Sequence, residues 1–158
     1  MPELIDVITY LCQQYPNKHD LSNARLTKLI YLADWRSALT RGRQMTNIRW
    51  VFDQFGPFVH DVKDVAINNP NFVVEDTTNM YGAPKTLIRL VSDRASPSLS
   101  AEDQEILNWV IETSAKMTWN DYIRVVYSTY PIMSQERGTE LDLAALAEEY
   151  RSEELVEF

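Results

Sequence analysis

The chain has 158 residues, 45% of them hydrophobic and 24% charged, a balance that suits one ordinary globular domain and sets aside fibrous and disordered classes. Its one cysteine, Cys12, excludes an internal disulfide and any zinc site built on several thiolates, and it fits a reducing compartment. A formal charge of −8 argues against nucleic acid as a partner, because phosphate contacts need clustered Lys and Arg.

At the start, MPELIDVITYL places acids where a secretory signal carries positive charge, and no apolar run approaches the ~18 residues that span a bilayer; a cytoplasmic, non-membrane protein is expected. Leu4, Ile5, Ile8, Leu11, Cys12 and Tyr15 recur at spacings of three and four, which predicts a helix stopped by Pro16. After a polar connection, Asp20 or Ser22 can cap a second helix over about 21–40, with Leu26, Leu29, Ile30, Ala33 and Ser37 aligned on one side and Tyr31, Leu32 and Trp35 widening the apolar surface. Gly42 suits its left-handed terminator.

From Met45 to Phe55 the helical period fades into β-branched and aromatic residues, predicting a short extended segment that turns at Gly56-Pro57. Pro57 is then expected to open a helix over about 57–68, with Phe58, Val59, Val62, Val65 and Ala66 facing inward. FVVED and TLIRLV flank a loop with Asn, Gly and Pro, which predicts a β hairpin. Ser100 and Thr118 each begin a capped helix, one striped by Ile106, Leu107, Val110 and Ser114, the other by Trp119, Tyr122, Ile123, Val126 and Tyr130 and closed by Pro131. After an exposed linker, SQERG, helical spacing returns through Leu143, Leu146, Ala147 and Tyr150.

The expected fold is therefore mainly α (α+β): a compact bundle of five or six helices with one small β hairpin. A helical domain over 1–131 would carry an acidic helical tail over 132–158, packed on it or on a partner. That tail holds Glu140, Asp142, Glu148, Glu149, Glu153, Glu154 and Glu157 against Arg151 in its residues from 140 onward, so −6 of the −8 sits there. Such a surface suits a basic protein.

Chemistry is hard to find. His60 and Asp64 lie one helical turn apart, but two ligands do not make a metal site, and His19 is the only other histidine. Cys12 falls on an apolar stripe, where a thiol stays protonated. No P-loop, G-x-G-x-x-G, G-x-S-x-G or H-E-x-x-H sequence occurs. No catalytic residue, metal or cofactor is therefore assigned. Arg36, Arg41 and Arg43 surround the end of the second helix, where they could bind an anion or simply complement its negative end. Trp35, Trp50, Trp109 and Trp119 each lie in or near an apolar stripe, so they could be core, yet Trp also anchors partner surfaces.

One long stretch is recognisable. LTKLIYLADWRSALTRGRQM, followed after a short gap by WVFDQFGPFVHDV, resembles the Panacea antitoxin-domain family, which includes SocA-like proteolytic adaptors and phage-associated relatives. The pattern is carried by Lys28, Leu29, Ile30 and Tyr31, then Gly42, then Phe52, Phe55, Gly56 and Pro57, with Phe58-Val59 replacing the usual aliphatic pair. The resemblance implies a mostly helical domain that neutralises a toxin, encoded next to it, by direct binding, and it carries over no catalytic residue, so no enzyme is expected; some relatives present a toxin to an ATP-dependent protease, which is the second reading, and a metal-dependent enzyme using His60 and Asp64 is the third. The residues expected to build a partner-binding corner are Trp35, Arg41, Arg43, Trp50, Phe55, Gly56, Pro57 and Phe58.

Overall fold

A computed structural model describes residues 1–92 and 94–156. In chain order they form α1 (Leu4–Gln14), a 3₁₀ turn (Lys18–Asp20), α2 (Asn23–Arg41), β1 (Trp50–Asp53), β2 (Gly56–Phe58), α3 (Asp61–Ile67), β3 (Phe72–Thr78), β4 (Pro84–Leu90), α4 (Ala101–Ser114), α5 (Trp119–Tyr127), α6 (Tyr130–Ser134), β5 (Glu140–Leu141) and α7 (Leu143–Val156). The mainly α expectation holds, but the described residues contain seven helices and two small antiparallel sheets, more than one hairpin.

The helix starts follow local chemistry. Ser22, Ser100 and Thr118 each accept a hydrogen bond from the backbone N–H three residues on, at 3.1, 3.1 and 3.2 Å, satisfying a donor that has no partner within the helix. Gly42 ends α2 at φ 77°, with its N–H bonded to the Ala38 carbonyl. Arg151 of α7 donates to the carbonyls of Ala38 and Leu39 at 3.1 and 3.0 Å, a cation on two of the groups that make this helix end negative.

α2 is the central element, packed against α4, α7, β2 and β4. Leu26, Leu29, Ile30 and Tyr31 are fully buried, and burying an aliphatic side chain of this size contributes roughly 1.5–3 kcal/mol. Trp35 meets Tyr150 of α7 edge to face at 6.2 Å.

Two expectations are corrected. Gly56-Pro57-Phe58 does not begin a helix; it is the strand β2, paired antiparallel with β1 through Val51↔Phe58, Phe52↔Pro57 and Asp53↔Gly56. Helix α3 starts only at Asp61. Gln54 and Phe55 form the turn with negative φ, and Gly56 at φ 98° supplies the left-handed step that a residue with a Cβ rarely adopts. Pro57 is tolerated because β2 is an outer strand, in the order β2-β1-β5. Pro131 likewise does not close a helix: α5 ends at Tyr127, and Pro131 sits in the first turn of α6, where its missing N–H costs nothing.

The segment after α6 adds β5 to the outer side of β1, with Trp50↔Leu141 and Val51↔Glu140 in register. Bonds between Phe52 and the Gly138–Thr139 backbone, at 2.7 and 2.9 Å, extend this ladder. The second sheet, β3–β4, pairs from Phe72↔Leu90 to Thr78↔Pro84 and is tied to the start of α2 by the bridge Ser22↔Leu87.

Candidate functional site

The corner that the sequence singles out is built around a buried carboxylate. Asp34 on α2 is wholly inaccessible, and the loop after α2 wraps round it. Thr46 donates from its N–H (2.8 Å) and its hydroxyl (2.6 Å), Trp50 from its indole N–H (2.8 Å) and Gln44 from its amide (3.4 Å). Burial pushes the Asp34 carboxyl from 3.8 up to about 6, and the bonds from Thr46 and Trp50 restrain the rise. Trp50 meets Tyr31 edge on at 5.5 Å, and the Tyr31 hydroxyl shares a 2.8 Å hydrogen bond with that of Thr129 on the far side of the core.

On this frame stands the β1–β2 hairpin. Its tip carries Phe55, which is 72% exposed. Gly56 and Pro57 are buried and Phe58 half-buried; a Cβ on Gly56 would lie 3.4 Å from the Tyr127 ring. His60 is exposed and packs edge on to Phe58 at 5.3 Å. Beneath the hairpin lies Lys28 of α2, only 3% exposed, its Nζ 6.0 Å from the centre of the Phe58 ring.

The predicted partner-binding residues therefore divide. Phe55 is presented outward and Phe58 partly so, with Gly56 and Pro57 shaping the strand that holds them. Trp50 and Trp35 are buried and brace the corner from within. Arg41 bonds to Asp103 at 2.9 Å and to the Ser37 hydroxyl at 3.0 and 2.7 Å, so its guanidinium joins α2 to α4. Arg43 is exposed, away from the hairpin in the chain and bound to Ser37 only through its carbonyl.

Other exposed aromatic surface lies elsewhere. Trp109 and Trp119, 40% and 43% exposed, each sit under an arginine: Arg36 at 4.2 Å and Arg25 at 5.4 Å. Trp109 borders a groove of about 510 Å³ with Trp35, Tyr130, Met133 and Tyr150. Along its edge the Tyr130 hydroxyl donates to Glu149 and Glu153 of α7 at 2.6 and 3.1 Å. Asp142, Glu148, Glu149 and Glu153 are exposed, and Glu140 pairs with Arg49 at 2.9 Å. Glu154 and Glu157 lie outside the described side chains.

The described residues contain no group of three His, Cys, Asp or Glu suited to a metal, and no helix among them is long and apolar enough to cross a membrane. Cys12 is buried, which pushes its thiol up to about 12, leaving almost no thiolate at neutral pH. Sequence reasoning missed Lys28, quoted only as part of a pattern. The available signal was a charged residue inside a run, Leu26 to Tyr31, in which every neighbour is buried.

In comparison with known proteins, a family model described as antitoxin SocA-like, Panacea domain, matches residues 26–131. No curated protein and no solved structure matches the chain.

Proposed function

We propose, from the premise that this chain belongs to the SocA-like antitoxin family of Panacea domains, that it neutralises a cognate toxin by direct binding in the cytoplasm. The observation that carries this reading is the family match over 26–131, which contains both the exposed Phe55 and the buried frame of Asp34 and Trp50 that holds it. An exposed aromatic side chain on a braced turn suits a docking anchor, since it offers a large apolar area with few rotatable bonds to immobilise when it is covered.

The mechanism is masking: a toxin whose working surface is covered cannot reach its target, and no bond is made or broken. The partner is a protein encoded beside this chain. Exposed Asp142, Glu148, Glu149 and Glu153 on the α7 side draw in a basic partner, and such long-range attraction speeds encounter more than it deepens affinity.

Coexpression with each neighbouring gene product is the test. One product should arrest growth alone, lose that effect when this chain is present, and copurify with it. If no neighbour is toxic or binds, the reading fails. Delivery to an ATP-dependent protease is the second reading, drawn from the adaptors this family resembles; it requires the toxin's half-life to fall when this chain is present, and a stable toxin rejects it.

A further inference from the structure

We infer that Lys28 is a socket for a carboxylate of the partner protein, opening at the seam between α2 and the β1–β2 hairpin. The inference rests on the direct-binding reading and names the chemistry the partner brings to it.

The chain meets its other buried charges with partners. Asp34 receives four hydrogen bonds from Thr46, Trp50 and Gln44. Arg25 donates to the Tyr15 hydroxyl at 3.1 Å and lies over the rings of Trp119 and Tyr122. Arg41 and Asp103 form an ion pair at 2.9 Å. Lys28 is the exception. It is 3% exposed, its ammonium has three N–H donors, and among the described residues none of them meets an acceptor.

What surrounds the amine is incomplete in a definite way. The ring of Phe58 lies 6.0 Å off and attracts it weakly. Asp53 pulls on it from β1 without forming an ion pair, and the Asp53 Oδ1 is already taken by the Gln54 N–H at 2.8 Å. A desolvated ammonium without a hydrogen-bonded counter-charge is unfavourable, and burial lowers its pKa accordingly. Yet no fully enclosed side-chain nitrogen or oxygen among the described residues lacks a partner, so the tip of Lys28 must reach the surface. It does so beside Phe58, on the strand whose turn carries the exposed Phe55.

An incoming carboxylate supplies both missing things, acceptor oxygens and negative charge. A neutral carbonyl supplies only the first. The matching partner feature is an Asp or Glu next to an apolar side chain, the acid reaching Lys28 and the apolar group covering Phe55. Because the ammonium already keeps only a sliver of contact with water, it loses less hydration when the acid arrives than an exposed lysine would, so the contact favours binding more than a surface ion pair does.

Two measurements test this. In the free protein, NMR of the lysine side chains during addition of sodium acetate at constant ionic strength should move the Lys28 signal and leave Lys63 and Lys116 in place, while acetamide moves none. Silence of Lys28 towards acetate overturns the socket. In the coexpression assay, Lys28→Met should weaken toxin binding by at least about tenfold, as expected for removal of one member of a desolvated charge pair, while its melting temperature equals or exceeds that of the parent. Binding at parental strength overturns the inference. Should Lys28→Met fold poorly, Lys28→Gln serves, and binding at parental strength overturns the inference there too. If the parent chain binds no neighbouring product but acetate still moves Lys28, the toxin reading falls and the anion socket stands. Self-association of the parent that Lys28→Met abolishes would assign the socket to a second copy and overturn the toxin assignment.

Discussion

Two charged residues lie six positions apart on the same helix, both inside the protein, and their surroundings could hardly differ more. Around Asp34 the loop 44–50 folds back to offer four donors; around Lys28 the β1–β2 hairpin offers a ring and a distant carboxylate. A buried charge that is fully bonded fixes the backbone that bonds it, and so belongs to the frame. One left without an acceptor weakens the fold, and its presence is explained by what happens when something docks.

The sharpest way to break the comparison is to remove the acceptor at the satisfied end. Asp34→Ala orphans three buried donors, the N–H and hydroxyl of Thr46 and the indole N–H of Trp50, and at roughly 1–3 kcal/mol per orphan the expected loss is about 3 kcal/mol or more, read as a fall in the urea midpoint. A loss below about 1 kcal/mol, the mean for an ordinary substitution, would mean that Asp34 does not hold the loop.

Acidity sharpens the same point. The Asp34 pKa is about 6 in the fold against 3.8 in an unfolded chain, so the native state keeps a proton that the unfolded state gives up. Its contribution is fully present below 3.8 and is lost as the pH rises through about 6, a change of about 3 kcal/mol at ~1.4 kcal/mol per pH unit. Asp34→Asn cannot titrate. The stability of the parent relative to this variant should therefore decline across that window, and a flat difference refutes the assignment.

Smaller effects are expected on the hairpin. Gly56→Ala forces a Cβ into φ 98°, costing about 1–2 kcal/mol, which thermal unfolding resolves. Phe55→Ser should leave stability within about 0.5 kcal/mol, as for an exposed position, but abolish toxin neutralisation. An unaltered neutralisation would move the docking surface elsewhere, the Trp109 groove being the next place to look.

Much of the fold was legible because its signals are local. Ser22, Ser100, Thr118 and Gly42 act on groups within three or four residues of themselves, and the apolar stripes of α1, α2 and α4 need only helical spacing. Gly56-Pro57 was misread as a helix start because Pro at a first helical turn and Pro on an outer strand look alike along the chain; pairing with Phe52 and Asp53 decides between them. β5 is two residues long and shows no period at all. At the corner, the sequence identified the right aromatics but not their direction: Trp35 and Trp50 turn inward, Phe55 outward. For Lys28 the direction was the whole question, and a lysine's long stem permits either answer.

The late strand of the first sheet has a bearing on synthesis. β1 gains its outer neighbour only from a segment whose Glu140 clamps Arg49 across 91 positions. A ribosome that has released α5 but still shelters β5 in its exit tunnel holds a nascent chain with Trp50 and Phe52 on an open strand edge, a known template for wrong pairing. Early capture by a chaperone would shield that edge while translation finishes.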